Sequence, residues 1–86
     1  MKINILFFAG IREMFGFKEK NIKIEESIKS PEKLVKFLIE KEQGSWIKLL
    51  SSKDLIRVAI NQEISEWSSP LKDGDELAFF PPITGG

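Results

Sequence analysis

The chain contains no cysteine and no histidine. Without cysteine there are no disulfide staples and no thiolate metal sites. Without either residue, imidazole and thiol catalysis and the common zinc ligand sets are excluded. Chemistry on this chain is left to carboxylates, lysines, hydroxyls and the chain termini. Long hydrophobic runs are missing as well. None approaches the roughly 20 apolar residues that a membrane-spanning helix needs. Met1-Lys2-Ile3 alternates like a strand and opens no apolar leader. The expectation is a cytoplasmic protein with no signal peptide and no membrane attachment. Net charge is absent too, since 13 Lys/Arg balance 13 Asp/Glu. That balance gives no basic stripe of the kind nucleic acid requires, so no nucleic-acid partner is expected. The charge is nevertheless uneven. Residues 1–53 hold eleven Lys/Arg against seven Glu, while residues 54–86 hold two against six acidic residues. Either this split is incidental in a small protein, or the half bearing the C-terminus presents an acidic rim to a basic partner.

What is present fits one small domain. A chain of 86 residues, 42% hydrophobic and 30% charged, has the composition of an ordinary globular protein. A domain this size buries about 60–65% of its unfolded surface, enough for a thin core. Lys2 to Phe8 alternates, with Ile3, Ile5 and Phe7 on one face and Asn4, Leu6 and Phe8 on the other. Both rows are largely apolar, as in a central strand. Gly10 to Gly16 breaks the pattern as a short turn or helix carrying Ile11, Met14 and Phe15. Asn21 to Glu25 reads as a half-buried strand hairpinned with the first.

Ser30-Pro31-Glu32 is a helix start. Ser30 can cap, Pro31 suits the first helical position, and Glu32 favours the positive end of the dipole. Leu34, Phe37 and Leu38, with Val35, form an apolar stripe that runs to about Gln43, and Gly44 is the stop. Trp46, Ile47, Leu49 and Leu50 predict a second short helix. Leu55 to Ile60 is a strand with Ile56, Val58 and Ile60 on one face and Arg57 and Ala59 on the other. Asn61-Gln62 is its turn, and a short strand follows around Ile64. Pro70 to Asp75 is a tight loop, and Glu76 to Phe80 is the last strand. The fold class is α+β, a mixed sheet with one main helix packed on one face. Residues 1–80 form the domain and 81–86 a flexible tail.

The sequence closes on Phe79-Phe80-Pro81-Pro82-Ile83-Thr84-Gly85-Gly86. The two prolines favour an extended exit and limit the tail's freedom. Gly85 and Gly86 carry no side chain and can pass a narrow channel. Six residues follow Phe80, so an extended tail spans about 20 Å. "LFFAGIRE", "VAINQE" and "PLKDGDELAFFPPITGG", in this order, resemble the ubiquitin-like β-grasp proteins. Among these the chain resembles the family of molybdopterin synthase small subunits, the sulfur carriers of molybdenum-cofactor biosynthesis. The likeness runs over essentially the whole chain, and the Asp-Gly-Asp-Glu and Phe-Phe-Pro-Pro segments are its specific part.

The resemblance implies a cycle at Gly86. A ubiquitin-activating-like adenylyltransferase uses ATP to adenylate the terminal carboxylate. A sulfur donor protein converts the adenylate to a thiocarboxylate. The carrier then docks on the large synthase subunit and gives its sulfur to a cyclic pyranopterin monophosphate, forming the dithiolene of molybdopterin. Pro81, Pro82, Ile83, Thr84, Gly85 and Gly86 thread the partners' active sites. The chain is then no complete enzyme, binds no cofactor itself, and carries only covalent sulfur at Gly86. Because the helix can cover only one sheet face, Ile3, Ile5, Phe7, Leu77 and Phe79 are assigned to the core. Leu6, Phe8, Ala59 and Phe80 are left as an apolar partner interface, with Arg12 able to pair across it. Asp73, Asp75 and Glu76 are read as turn chemistry and no metal is assigned. A thiamin-type sulfur carrier, a modifier joined to lysines through Gly86, and a plain interaction domain are the competing expectations.

Overall fold

A computed structural model describes residues 1–81. Pro82, Ile83, Thr84, Gly85 and Gly86, the greater part of the expected tail, lie outside the described residues. The elements in chain order are β1 (Lys2–Phe7), α1 (Ala9–Phe15), β2 (Glu19–Lys23), α2 (Pro31–Glu42), α3 (Ser45–Ser51), a 3-10 turn (Lys53–Leu55), β3 (Arg57–Ile60), β4 (Glu63–Ser65) and β5 (Glu76–Phe80). The five strands form one sheet in the order β2-β1-β5-β3-β4. β1 is antiparallel to β2 and parallel to β5, and β3 is antiparallel to both β4 and β5. No helix among the described residues is long and apolar enough to cross a membrane.

Alternation decides which side of this sheet is core. Ile3, Ile5, Phe7, Leu77, Phe79 and Val58 all point to one face and are 0–1% exposed. Leu34, Val35 and Leu38 of α2, Trp46 and Leu49 of α3, and Ile11 of α1 close over them. The aromatic centre is Phe7, stacked on Phe15 at 4.4 Å between ring centroids and set edge-on to Phe17 at 5.4 Å. Both tryptophans belong to this side. Trp46 donates from Nε1 to Glu42 Oε1 (3.0 Å), and Trp67 lies 5.5 Å from the Phe79 ring while donating to the Ile56 carbonyl (3.1 Å). Each ring therefore keeps its single donor satisfied while its body fills the core.

The helix start behaves as its residues dictate. The Ser30 hydroxyl accepts from the Lys33 amide at 3.2 Å, with Pro31 in the first turn. The stripe on α2 differs in one respect. Val35 is wholly buried and Phe37 only half so, because the sheet beneath α2 lies on the Leu34–Leu38 side. At the far end the helix stops on two left-handed residues, Gln43 (φ 56°) and Gly44 (φ 63°), rather than on glycine alone.

Three strand boundaries differ from expectation. β3 begins at Arg57 rather than Leu55, because Leu55 closes the 3-10 turn Lys53–Leu55 instead. β2 begins and ends two residues earlier, at Glu19 and Lys23. The Ile24 backbone still pairs with the first residue of the chain, since Ile24 N donates to the Met1 carbonyl (2.9 Å) and Met1 N to that of Ile24 (2.7 Å). Phe8 is not a strand residue. It is the extended residue (φ −120°, ψ 149°) that precedes α1.

Candidate functional site

The candidate site is the sheet face that the helices leave open. Its layout follows from register. Leu6 pairs with Ala78, Ala78 with Ala59, and Ala59 with Ile64. These four residues therefore form one apolar row across β1, β5, β3 and β4. One step toward the C-terminal end of β5 lies a second row. Phe80 pairs there with Arg57, and Phe8, whose amide donates to the Phe79 carbonyl at 3.2 Å, continues the ladder to the same level. One step the other way the row turns polar, with Asn21, Asn4 and Glu76 in register.

Exposure along these rows is not uniform. Phe8 is 41% and Ile64 73% exposed. Leu6 and Phe80 are half-buried. Ala59 is buried at 7%, as is its partner Ala78, which corrects the expectation of an exposed Ala59. A methyl side chain on a central strand is shielded by its taller neighbours even where no helix lies above it. The Ala59–Ala78 pair thus makes a shallow floor between Leu6 and Ile64. Neither tryptophan covers this face, since both pack against Phe79 on the other side.

Ile64 is the residue that sequence reasoning left out of the face. The signal was present in the turn. Asn61 (φ 51°) and Gln62 (φ 70°) are both left-handed, the geometry of a tight two-residue hairpin turn. Such a turn sets Ile60 against Glu63 and therefore Ala59 against Ile64. The side chain of Asn61 also locks the far end of the face. Its Nδ2 donates to Asp75 Oδ1 (2.9 Å) and its Oδ1 accepts from the Glu76 amide (3.0 Å). Asp75 Oδ2 accepts from the Lys72 amide (2.8 Å), and Asp73 Oδ1 accepts from the Lys2 amide (2.6 Å). The Asp73 and Asp75 carboxylates are thus engaged in holding a turn, and Glu76 joins it through its backbone amide. Among the described residues no group of three or more His, Cys, Asp or Glu could hold a metal ion.

Arg12 stands where the face meets α1. Its Nε donates to the Phe7 carbonyl at 3.2 Å. With Leu6, Phe8, Lys18 and Glu19 it lines an open hollow of ≈ 230 Å³. The structure thus brings Leu6, Phe8 and Arg12 together at one corner and Phe80 beside them, with Ala59 one row below. Charge at this end is mixed and no acidic rim forms: Glu19 pairs with Leu6 at the β2 edge, while Arg12, Lys18 and Arg57 stand around the aromatic residues. Asp73, Asp75 and Glu76 precede or begin β5, at the end opposite Phe80, and the charged residue paired with Phe80 is Arg57. Pro81, half-buried, is the last described residue. The face offers a broad apolar contact that ends at Phe80 and Pro81. It is a surface for another protein more than a pocket for a small molecule.

Comparison with known proteins agrees with this geometry. Residues 5–86 match the model of the ThiS family. The chain is 40% identical over 84 residues to a molybdopterin synthase sulfur carrier subunit of Haemophilus influenzae, covering 98% of this chain and 99% of that relative. Its fold is similar to that of one chain in a protein–protein complex of subunits 1 and 2 of molybdopterin-converting factor from Helicobacter pylori 26695, with a TM-score of 0.63 at 29% identity and full coverage of both chains. It is also similar to SAMP1 from Haloferax volcanii, with a TM-score of 0.74 and full coverage of both chains, but at 23% identity that likeness shows the fold alone.

Proposed function

The chain belongs to the ThiS family, and from that premise we propose that it acts in the cytoplasm as the sulfur carrier subunit of a molybdopterin synthase. The observation that carries the reading is the 40% identity, over practically the whole of both chains, to a protein of that function. The family model by itself leaves the thiamin-type pathway open, and this identity narrows it. The likeness to SAMP1, confined to the fold, favours no second reading as a protein modifier.

In this reading the reactive group is the carboxylate of Gly86. A carboxylate is an anion at neutral pH and a poor electrophile. An adenylyltransferase joins one of its oxygens to the α-phosphorus of ATP, and pyrophosphate leaves. Sulfur delivered by a donor protein at the oxidation level of sulfide then attacks the acyl carbon, the bond from that carbon to the phosphate oxygen breaks, and AMP departs to leave a thiocarboxylate. The large subunit receives that sulfur for a cyclic pyranopterin monophosphate, and the carrier returns as a carboxylate. What the described residues contribute is position. A rigid sheet holds Phe79 in the core and Phe80 on the open face, so the segment beyond Pro81 starts from a fixed point. Leu6, Phe8, Ile64 and Phe80 supply apolar area for docking on the large subunit, and the prolines lower the ordering cost of each encounter.

Incubating the full chain with the adenylyltransferase of its own organism, ATP and a sulfide source tests this. The intact mass should rise by the difference between one sulfur and one oxygen, and a chain lacking Gly86 should not change. Adducts on lysines of other proteins, with no such mass change, would overturn the reading in favour of a modifier.

A further inference from the structure

Arg57 is the one charged side chain that the register sets beside Phe80 on the open face. It is exposed, and no ion pair holds it among the described residues. β4 begins pairing with β3 only at Val58. Arg57 therefore stands at a corner where β5 flanks it on one side and no strand flanks it on the other. Extending the ladder by one residue would bring Glu66 toward it. The chain has left the sheet by then, for the Glu66 carbonyl accepts from the Ser69 amide and the Glu66 amide donates to the Ser69 hydroxyl. The other arginine of the chain, Arg12, lies beyond Phe8 at the same end of the face. The aromatic pair Phe8 and Phe80 thus has a guanidinium group on either side; the acid at this end, Glu19, pairs with Leu6 on the Arg12 side, away from Arg57, and Asp73, Asp75 and Glu76 sit at the opposite end of β5.

A cation beside an apolar contact has a consequence on docking. Any protein that covers Phe80 removes water from Arg57, which is unfavourable unless a carboxylate takes the water's place. A partner with an apolar group there is disfavoured, and one with an acid there is selected and steered. We propose that Arg57 is a specificity determinant of the docking face, and that the large synthase subunit this carrier serves presents a carboxylate to it. The proposal rests on the sulfur-carrier reading and adds to it the charge that the matching surface must bear.

The test is the dissociation constant of the full-length carrier with the large subunit of the same organism, for wild type, Arg57→Met, Arg57→Glu and, as a control at the far end of the same face, Lys23→Glu. Wild-type affinity should fall as salt is raised. Arg57→Met should weaken binding about tenfold and Arg57→Glu about 100-fold, with Lys23→Glu staying within about threefold at physiological salt, where such distant charges are screened. Melting temperatures of the free variants separate folding from docking, since Arg57 is exposed. Wild-type binding together with an Arg57→Glu affinity unchanged within about twofold would overturn this proposal alone. Failure of the wild type to bind the large subunit at all would remove the sulfur-carrier reading and this proposal with it.

Discussion

The two faces of the sheet are built by alternate residues of the same strands, yet they are furnished differently. The covered face carries Ile3, Ile5, Phe7, Val58, Leu77 and Phe79, every one essentially inaccessible to water. The open face carries Asn4, Leu6, Ala59, Ala78, Phe80 and Ile64, a mixture of small, polar and partly exposed apolar groups. Phe79 and Phe80 make the contrast sharpest. They are the same residue type, adjacent in sequence, and separated by one reversal of the strand. The covered face contributes stability through area removed from water within the chain itself. The open face leaves its area for a second protein, where an exposed apolar patch becomes an interface. A small domain has little core to divide, so this division of roles is plain here.

Replacing one phenylalanine at a time is the direct way to break that contrast. Phe79→Ala leaves a cavity among Phe7, Trp46 and Trp67 and should cost about 3–5 kcal/mol of folding stability. That is a large part of the roughly 5–15 kcal/mol a domain possesses, and a urea titration should show the midpoint collapse. Phe80→Ala should change folding by less than about 1 kcal/mol but weaken binding to the large synthase subunit by about 2 kcal/mol, some 30-fold. Denaturation and binding measured on the same preparation decide the matter. Equal losses of stability for both variants would mean that Phe80 is core as well, and the division of roles would fail.

Most of this contrast was legible from the sequence because period-two alternation assigns faces without knowledge of topology. The five residues assigned to the core are all 0–1% exposed, and the Ser30-Pro31 helix start carries the expected cap. What alternation does not contain is length and register. Ile22 and Ile24 alternate past the end of β2, so the pattern could not mark Lys23 as its last residue. Phe8 continues the alternation of β1 in an extended conformation, and α1 begins after it with no side-chain cap to signal the change. The exposure of Ala59 depends on the heights of Leu6 and Ile64 beside it, a matter of neighbours across strands. The parallel pairing of β1 with β5, which puts Leu6 against Ala78, joins the two ends of the chain and has no local trace. The residues expected to carry the chemistry, Gly85 and Gly86, lie outside the described residues, so their part of the reading rests on sequence and kinship.

A third surface, the outer side of the helix layer, belongs to neither role and gives the smallest expected effect. There the Lys53 ammonium donates to Glu32 Oε1, tying the 3-10 turn to the first turn of α2, while Lys36 approaches the other carboxylate oxygen at 3.9 Å. The Lys53 hydrogen bond, then its charge, and after it the charge of Lys36, hold the Glu32 carboxyl below the usual carboxylate range, and the same hydrogen bond raises Lys53 above the usual lysine range. The lowered Glu32 contributes stability present above its unfolded pKa and lost as pH falls through the folded one. The raised Lys53 contributes stability present below its unfolded pKa and lost as pH rises through the folded one. Both groups are exposed to solvent, where such pairs are weak and screened by salt. Lys53→Met should therefore lower the melting temperature slightly across the neutral range, and the difference from wild type should vanish in acid below the Glu32 titration. A difference that persisted there would assign the effect to packing of the lysine stem rather than to the ion pair. A Lys53→Met loss as large as that of Phe79→Ala would show that the helix layer is held to the sheet by charge as much as by its core.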